Sequence, residues 1–458
     1  MPINVINPFD ASVVDSIETA DEATVRDAIA RAYAVCETMA TMPVHERGRI
    51  LNKTASLIEQ HADELTDLII KESGKPRRYA RGEVNRAVET FTFSADEARR
   101  LHGETIPMDA ARGGVGKMGY YVRMPVGVVG AITPFNFPLN LVAHKMAPAV
   151  AAGCPMVLKP APATPLTALR LRELLIEAGL PEDALSVVVG DADVGRWLTT
   201  DERVAMITFT GSPPVARAIS QVSGLRRTVF ELGGNAATIL DETANIDAAM
   251  NRLLIGSFAY SGQVCISVQR IYVHRSLYDD FREKFIAQTE QLVVGDPMDA
   301  ETEIGPIVSD DAVKRVVAWL QSAEEQGATI SAGGTHEGRM FRPTVLENVR
   351  EDMQIMCTEA FAPIVNLVPF DDFEEALALA NDSEFGLQAG VYTRDINRVL
   401  QAIERLDVGG VIINDVPTFR VDQMPYGGNK NSGLGREGPR FSVEEMTTIR
   451  MVVINPAQ

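Results

Sequence analysis

Cysteine is scarce in this chain, which has four cysteines in 458 residues: Cys36, Cys154, Cys265 and Cys357. So few cysteines do not form a disulfide scaffold, and we expect a reducing compartment in which a chemically special cysteine is catalytic. Glycine and proline, with 35 and 25 residues, occur at ordinary levels, and 46% of the residues are hydrophobic. This composition excludes a collagen-like chain and a largely disordered one.

Basic residues are in the minority, because 43 Lys and Arg face 62 Asp and Glu and give a formal charge of −19. Such a surface repels phosphate backbones and disfavours a nucleic-acid partner. The most apolar stretch, residues 126–158, is broken by four prolines and contains His144 and Lys145, which a membrane helix tolerates poorly. The first sixteen residues lack the basic and apolar segments of a signal peptide. We therefore expect a cytoplasmic protein without a membrane partner.

The pattern of apolar residues predicts an α/β fold. The length exceeds what one hydrophobic core usually serves, so we expect two or more domains. Residues 21–40, 47–70 and 82–101 repeat apolar side chains at helical spacing, and residues 116–129 alternate as a hairpin or extended ribbon does. After residue 126, short β-branched runs alternate with helical segments, which predicts parallel sheets wound in βα units. The strand-like tail at 444–455 either pairs within its own subunit or joins a neighbour's sheet.

Cys265 lies in the sequence GQVCIS, directly after a predicted helix. A glycine-flanked turn can expose a thiol, and nearby amides favour its thiolate, so Cys265 is a candidate nucleophile. The alternative is a buried structural cysteine. Cys36, on a predicted helix, and Cys154, in an apolar turn, are interpreted as structural, and Cys357 stays ambiguous at this point.

Two further polar residues follow predicted strands. Glu231, in FELGG, ends a strand of apolar residues, where burial would raise its pKa and suit it to general base catalysis. The alternative is a structural ion pair or a helix cap. Asn136, in ITPFNFPLN, carries an amide that could donate to a developing oxyanion, although an Asn in such a turn often serves only to form the turn.

Lys159 and the sequence FTGS, residues 209–212, are candidate contacts for a ligand. Lys159 ends a predicted strand at the edge where open α/β sheets bind ligands, and FTGS opens a helix whose amides could meet a phosphate. Neither feature is specific alone, and no complete GxGxxG motif occurs in the right context. The glycines by themselves therefore do not establish a cofactor site.

Taken in order, these elements resemble the NAD(P)-dependent aldehyde dehydrogenase superfamily over almost the whole chain. Lys159 follows Asn136 by 23 residues and Cys265 follows Glu231 by 34, which are the spacings of that family. Seven motifs carry the resemblance: TPFNFP, VLKP, FTGS, FELGG, GQVC, CTEAFAP and MPYGGNKNSGLGREG.

The resemblance implies catalytic roles for three residues. Cys265 matches the nucleophile that attacks the aldehyde to form a thiohemiacetal, and Asn136 with the Cys265 backbone N–H matches the oxyanion hole. Hydride transfer to the nicotinamide leaves a thioester on Cys265. Glu231 matches the base that activates water for hydrolysis of that thioester.

The resemblance also implies the coenzyme contacts. Lys159 matches a ligand of the adenosine ribose, Ser212 a contact of the pyrophosphate, Glu359 a ligand of the nicotinamide ribose and Phe361 the ring beside the nicotinamide. Cys357, two residues before Glu359, is then interpreted as structural. Five further matching positions are expected to contact the coenzyme: Thr133, Pro134, Phe135, Gly211 and Leu232.

Three positions depart from the family pattern. Pro162 stands where members that prefer NAD often carry Glu, and its absence removes repulsion against a 2′-phosphate. NADP is therefore admissible and favoured over NAD. Ala216 and Ala362 replace common glycines; we expect an adjusted helix packing at the first and tolerance at the second.

Glu231 also bears on the fate of the acyl group, since branches that pass it to coenzyme A usually lack this glutamate. Hydrolysis to a free acid is thus favoured over an acylating, CoA-dependent semialdehyde dehydrogenase. A cofactor-free cysteine hydrolase would need a histidine near the thiol, and the six histidines occur in no recognisable cysteine-protease setting. A non-catalytic role is disfavoured by the intact set of Cys265, Glu231 and Asn136.

The sequence texture resembles the lactaldehyde and glyceraldehyde-type, non-phosphorylating branch, whose substrates are small and hydroxylated or anionic. Arg420 lies in the loop that normally borders the substrate funnel of the family and could receive a carboxylate, sulfonate or phosphate. A surface ion pair is the alternative. Arg123 is a weaker candidate, because it lies in the predicted oligomerisation ribbon.

By resemblance, an open, Rossmann-like cofactor domain spans residues 1–114 and 128–232, and an α/β catalytic domain spans residues 233–437. Residues 115–127 and 438–458 form a small β extension for oligomerisation. A homodimer or homotetramer is expected.

Overall fold

Two large β-sheets with helices on both faces organise residues 2–456 in a computed structural model of the protein. The predicted α/β fold class with parallel sheets is confirmed. Parallel strands covered on both faces are built from nearly continuous apolar residues, and the buried strand Val128–Ile132 shows this pattern. Within residues 2–456, no helix combines the length and the apolar character that a membrane crossing requires.

The first large sheet has six strands. Five are parallel, and the short edge strand Gly433–Leu434 runs antiparallel to its neighbour. In spatial order the strands are Gly433–Leu434, Arg227–Glu231, Val204–Thr210, Val128–Ile132, Met156–Lys159 and Leu185–Val187. The chain turns in opposite directions on either side of Val128–Ile132, so a crevice opens where this strand and Val204–Thr210 end.

The second large sheet has seven strands, all parallel to their neighbours except the edge strand Thr329–Ala332. In spatial order they are Thr329–Ala332, Thr344–Glu347, Ile364–Phe370, Val268–His274, Ala236–Leu240, Gln388–Tyr392 and Gly410–Ile413. Residues 232–235 connect this sheet to the first. The strand that ends in Glu231 therefore leads directly into the second sheet.

Helices cover both faces of each sheet and enclose separate apolar cores. The predicted helix at 47–70 is two helices in the structure, since His61 interrupts it. The helices of residues 2–456 are Glu22–Ala34, Cys36–Thr41, Val44–Gln60, Ala62–Ser73, Arg77–Arg100, Asn140–Ala152, Leu166–Ala178, Ala192–Thr200, Pro213–Ser223, Ile246–Phe258, Arg275–Glu290, Asp310–Glu325, Gln354–Cys357, Phe373–Asn381, Ile396–Arg405 and Pro439–Glu445.

A small antiparallel sheet stands apart from the two large ones. Its strands, in order, are Thr447–Ile454, Met118–Pro125 and Thr105–Ile106. Residues 116–129 are therefore not a hairpin, because Met118–Pro125 pairs with the chain end while Val128–Ile132 enters the six-stranded sheet. The tail pairs within its own chain, as the simpler of the two expectations has it. The remaining short strand pairs are Pro2–Ile6 with Val13–Glu18, His336–Glu337 with Met340–Phe341, and Phe385–Gly386 with Asn429–Lys430.

Candidate active site

A cavity of about 270 Å³ lies where the two large sheets meet. It brings together Cys265, Glu231 and Asn136, three residues that are far apart in the sequence. Of the predicted site residues, Thr133, Lys159 and Arg420 lie outside its wall. The lining residues are Pro134, Phe135, Asn136, Leu141, Thr210, Gly211, Ser212, Glu231, Leu232, Gly233, Cys265, Glu359 and Phe361.

The topology of the first sheet explains this convergence. Asn136 follows the strand Val128–Ile132, and Ser212 follows the adjacent strand Val204–Thr210. Glu231 ends the next strand along. Because parallel strands end at the same edge of a sheet, their following residues meet in one crevice. Thr133, in the turn after the central strand, is buried, and its N–H donates to the carbonyl of Lys159 at 3.1 Å.

The turn before Cys265 is strained. The helix Ile246–Phe258 passes into a 3₁₀ turn, Ala259–Gly262, in which Tyr260 and Ser261 have φ values of 49° and 55°. Non-glycine residues pay an energetic cost for this left-handed backbone, so strain of this kind needs support from its surroundings. Both side chains supply it, since the Tyr260 hydroxyl donates to the Ser73 carbonyl at 3.0 Å and the Ser261 hydroxyl to the Gly305 carbonyl at 2.7 Å. The turn holds Cys265 half-buried in the cavity wall.

The thiol of Cys265 contacts the hydroxyl of Tyr426, with 3.0 Å between Sγ and Oη. Burial raises the pKa of Cys265 to about 11, and the Tyr426 contact lowers it only in part. Burial also raises the pKa of Tyr426 well above its ordinary value. Both groups are therefore protonated at neutral pH, and the thiolate must form by loss of a proton when a reaction begins.

The amide of Asn136 joins the two turns of the site. Its side chain is buried, and Nδ2 donates to the Gln263 carbonyl at 2.9 Å. Because an amide nitrogen carries two N–H bonds, one remains to donate to another acceptor. Gln263 is itself fixed, since its Oε1 accepts from the Val308 N–H at 2.9 Å. The geometry suits a neutral donor to an oxyanion formed near Cys265.

Glu231 is a buried carboxyl group whose two oxygens have no hydrogen-bond partner within the described chain. Burial raises its pKa well above the ordinary value, and the negative charge of Glu437 raises it further. Burial also acts against ionisation of Glu437, but Lys145, whose Nζ is 2.7 Å from Glu437 Oε1, keeps the pKa of that carboxyl below its usual range. Of the two buried acids, Glu437 therefore carries the charge and Glu231 the proton, an arrangement typical of acid–base catalysts.

Two glycines after Glu231 permit a close approach of three segments. A Cβ atom on Gly233 would lie 2.5 Å from Glu359 Oε2, and one on Gly234 would overlap the carbonyl oxygen of Cys265. The Gly234 N–H donates to Glu359 Oε1 at 2.9 Å, and burial raises the pKa of Glu359 to about 7. Only glycine lets the chain pass between Glu359 and Cys265.

Lys159 and Ser212 lie where a dinucleotide could bind. The ammonium of Lys159 is buried, forms no ion pair within residues 2–456 and has one long hydrogen bond, to the Pro160 carbonyl at 3.4 Å. Burial lowers its pKa to about 8. Ser212 precedes the helix Pro213–Ser223, whose N-terminus has no side-chain cap. An under-bonded cation and an uncapped helix N-terminus together fit the ribose and phosphates of a nucleotide.

Two aromatic rings complete the wall of the cavity. Phe361 has a φ of 49°, a strained value that turns the chain after Glu359 toward the cavity. Its ring packs edge to face with Phe135, with 5.7 Å between the ring centroids and an angle of 82° between the planes. The two rings form an apolar part of the cavity wall.

Arg420 lies behind the Tyr426 ring, with its guanidinium carbon 3.6 Å from the ring centroid. Its Nε has no partner and Arg420 forms no ion pair within residues 2–456, although the site around it holds several charges. The Nη2 atom lies 3.3 Å from His144 Nε2, but that nitrogen is also 2.8 Å from Asp422 Oδ1 and needs its proton for that bond. Arg420 thus lacks a carboxylate partner.

Sequence reasoning missed several residues of this site. Tyr426 is in the MPYGG motif, but nothing in the pattern places its hydroxyl against Cys265. His144 and Lys145 did carry a signal, since two ionisable residues interrupt a helix, Asn140–Ala152, that is otherwise buried and mostly apolar. Asp422 and Glu437, which pair with them, gave none.

The other three cysteines lie outside the cavity. Cys154 is buried, as expected, and Cys36 is half-buried at the start of its helix. Cys357 is exposed rather than buried, because it ends the short helix Gln354–Cys357 at the surface. Within residues 2–456, no group of three or more His, Cys, Asp or Glu side chains could hold a metal ion.

Comparison with known proteins gives full-length matches. The model of the Aldehyde dehydrogenase family matches residues 1–452. The chain is 45% identical over 454 residues to 3-sulfolactaldehyde dehydrogenase of Priestia aryabhattai, covering 99% of this chain and 95% of that protein. Aldehyde dehydrogenase 21 from Physcomitrella patens, solved with the product succinate, is 39% identical with a TM-score of 0.98 over 100% of this chain and 96% of that one. Glyceraldehyde-3-phosphate dehydrogenase GapN from Methanocaldococcus jannaschii, solved with NADP, is 38% identical with a TM-score of 0.96 over 99% of both chains.

Proposed function

Because the chain belongs to the aldehyde dehydrogenase family, we propose that it oxidises a small anionic aldehyde to its carboxylic acid with NADP or NAD. One observation carries the proposal: Cys265, Asn136, Glu231 and Glu359 line a single cavity. Their chemical characters match a nucleophile, an oxyanion donor, a general base and a ligand for a sugar hydroxyl.

The first half of the reaction acylates Cys265. The thiol loses its proton to solvent, its sulfur attacks the carbonyl carbon, and the carbonyl oxygen becomes an alkoxide. The free N–H of the Asn136 amide donates to this alkoxide in a partly desolvated site, where one such donor is worth roughly 10²–10³ in rate. A bound nicotinamide coenzyme would supply the acceptor for the hydride of the former aldehyde carbon. The alkoxide re-forms the carbonyl as the hydride leaves its carbon, and the result is a thioester on Cys265.

The second half hydrolyses the thioester. Unprotonated Glu231 takes a proton from a water molecule as the water oxygen attacks the thioester carbon. The Asn136 amide donates a hydrogen bond to the second alkoxide, as it does to the first. Expulsion of the Cys265 sulfur and its reprotonation release the carboxylic acid and restore the thiol. The buried carboxyl, free of hydrogen bonds within the described chain, is able to bond to that water.

The residues that would hold the coenzyme are Lys159 and Ser212 at its adenosine half, and Glu359 and the Phe361 ring at its nicotinamide half. The turn at residues 133–135, with Gly211 and Leu232, would complete the contacts. Support comes from the under-bonded Lys159 ammonium and from the relative solved with NADP. From the same similarity we propose two domains. The cofactor domain comprises residues 1–114 and 128–232, and the catalytic domain comprises residues 233–437.

Replacing Pro162 by glutamate is expected to weaken the binding of NADP relative to the binding of NAD. Pro162 lies in the turn after Lys159, and a carboxylate there would repel a 2′-phosphate with about 1–4 kcal/mol at contact. We expect the Km for NADP to rise about tenfold or more, with a much smaller change for NAD. Initial rates at 340 nm with both coenzymes measure this. Pro162→Gln is the uncharged control, and an equal change for both coenzymes would contradict the proposed position of the phosphate.

Arg420 is proposed to bind the anionic end of the substrate. Its guanidinium is stacked on Tyr426, whose hydroxyl contacts the Cys265 sulfur, so an anion on Arg420 would place the rest of a short chain near the thiol. Arg420 is half-buried with a buried Nε, and a partly desolvated cation without a carboxylate partner is costly unless a ligand pairs with it. The names of the three relatives above include a sulfonated aldehyde, succinate and a phosphate ester.

Replacing Arg420 by methionine is expected to lower kcat/KM for anionic aldehydes about a hundredfold or more, because the charge pair between the guanidinium and the anionic end of the substrate is lost. Propanal, a neutral aldehyde, should change far less. Steady-state kinetics with sulfolactaldehyde, succinic semialdehyde and propanal measure the contrast. Arg420→Lys retains the charge but not the two-pronged geometry and should be intermediate. An equal loss for propanal would show that Arg420 only supports the fold.

A panel of aldehydes tests the proposed function directly. Lactaldehyde, glyceraldehyde 3-phosphate, succinic semialdehyde and sulfonate or phosphonate aldehydes are each assayed with NADP and with NAD at 340 nm. Free carboxylic acid as the product, formed without coenzyme A, supports the hydrolytic reaction. Turnover that requires coenzyme A, or acyl hydrolysis without coenzyme reduction, would contradict it.

A homodimer or homotetramer is also proposed. The strand Thr447–Ile454 exposes Ile449, Met451 and Val453, three apolar side chains at alternating positions. Its outer edge is unpaired within the described chain. An exposed apolar edge strand is usually covered in solution.

A further inference from the structure

Lys75 and Glu83 form an ion pair whose two side chains are fully buried. Such a pair contributes little net stability, because desolvation of both charges offsets their attraction, and apolar replacements are often neutral. Neither residue lines the cavity of the candidate active site. The pair therefore calls for an explanation other than stability, and its contacts on both sides provide one.

The carboxylate of Glu83 caps the helix that follows the Asn136 turn. Its Oε1 accepts hydrogen bonds from the N–H groups of Leu139, at 2.8 Å, and Asn140, at 3.0 Å. The helix Asn140–Ala152 has no side-chain cap of its own. An anion at a helix N-terminus satisfies free N–H groups and complements the helix dipole. Glu83 thus fixes the chain three residues after Asn136.

The ammonium of Lys75 contacts a ring from each turn of the site. Its Nζ lies 3.7 Å from the ring centroid of Phe137 and 4.5 Å from that of Tyr260, both within cation–π range. Phe137 is next to Asn136 in the chain, and Tyr260 is in the strained turn before Cys265. The two rings also pack edge to face, with 6.4 Å between centroids.

We propose that the Lys75–Glu83 pair is a positioning device that holds the Asn136 turn against the Cys265 turn. The bond from Asn136 to the Gln263 carbonyl directs the amide locally, and the pair sets the distance between the two chain segments. The inference rests on the proposed function, because it assigns the pair to the oxyanion formed on Cys265. Lys75 and Glu83 act through Phe137, Tyr260 and the helix, not on the substrate.

The double variant Lys75→Met with Glu83→Gln tests the proposal. Methionine keeps the length of the lysine stem, and the glutamine oxygen still accepts from the two helix N–H groups, so no buried charge is left unpaired. The cation that contacts both rings is lost. We expect the first burst of reduced coenzyme, read at 340 nm under single-turnover conditions, to slow about tenfold to a hundredfold, as small misplacements do. The coenzyme Kd and the melting temperature should stay close to those of the wild type.

Glu72→Gln is the matched control. Glu72 is another fully buried glutamate side chain, and it caps a different helix by accepting from the N–H groups of Leu166, at 2.8 Å, and Thr167, at 3.1 Å. We expect its burst rate at saturating coenzyme to equal that of the wild type. If Glu72→Gln slows the burst as much as the double variant does, any lost cap has this effect and the proposal is wrong.

The remaining outcomes also test the positioning role of the Lys75–Glu83 pair. A folded double variant with a wild-type burst rate overturns the proposal. If the double variant does not fold, Phe137→Leu replaces it: this change keeps the ion pair but removes one contacted ring, and a wild-type burst rate then overturns the proposal. Coenzyme reduction by the wild type is measured first, since its absence with every aldehyde contradicts the proposed function itself, whereas equal single-turnover rates in wild type and variant contradict only the positioning role.

Discussion

Replacement of Cys265 by alanine is expected to lower aldehyde oxidation by roughly four orders of magnitude or more, as loss of a covalent nucleophile does in other enzymes. Its sulfur is the one thiol in the wall of the cavity that Asn136, Glu231 and Glu359 also line. Without the sulfur no thiohemiacetal can form. Coenzyme affinity should be unchanged, because the proposed coenzyme ligands Lys159, Ser212 and Glu359 keep their side chains.

Two measurements check this expectation. Absorbance at 340 nm follows turnover of the best aldehyde of the panel, and isothermal titration calorimetry gives the coenzyme Kd. Cys36→Ala is the control, since it removes a half-buried thiol from a helix outside the cavity and should retain full activity. Residual turnover of Cys265→Ala within tenfold of the wild type would contradict the assignment of Cys265 as the nucleophile.

The position of the site could be predicted because the fold is simple at this point. Asn136, Ser212 and Glu231 each follow or end a strand, and parallel strands bring such residues to one edge. The structure has these strands adjacent in the first sheet. Strand–helix alternation predicted that these residues lie at strand ends, and the resemblance to aldehyde dehydrogenases grouped them in one site; in the structure they line one cavity.

The contacts that tune the site could not be predicted. Tyr426 reaches Cys265 across 161 residues, and Lys145 reaches Glu437 across 292. Such pairs depend on how the loop after Gly410–Ile413 folds back over the first sheet, and no local pattern encodes that path. The left-handed backbone of Tyr260 and Ser261 was equally hidden, since sterics disfavour it for both residue types and only distant hydrogen bonds sustain it.

Residues 116–129 show a different limit of prediction from sequence. Alternating polarity correctly indicated extended chain, but it does not specify a partner. Met118–Pro125 pairs with the strand Thr447–Ile454 instead of turning back on itself. Pairing between chain segments over 300 residues apart is decided by tertiary packing, which overrides local pattern.

Replacement of Glu231 by glutamine is expected to give one burst of reduced coenzyme followed by turnover slower by about 10²–10⁴, the usual contribution of a general base. Acylation consumes the Cys265 thiol once per active site, and hydrolysis then stalls. Rapid mixing at 340 nm resolves the burst, and mass spectrometry of the intact protein should show the acyl group on the chain. Unchanged steady-state turnover would show that another base serves.

The pH dependence separates Glu231 from its neighbours. Burial and Glu437 hold the pKa of Glu231 well above its ordinary value, so the wild-type carboxyl loses its proton only as the pH rises, and hydrolysis should accelerate with it. Glutamine cannot ionise, so the slow phase of the variant should lose the pH dependence that ionisation of Glu231 gives to the wild type. Hydroxylamine, a nucleophile that needs no base, should capture the stalled acyl group and restore turnover of the variant. If hydroxylamine restores nothing while the burst is absent as well, the substitution has damaged acylation, and Glu231 is not confined to the hydrolytic step.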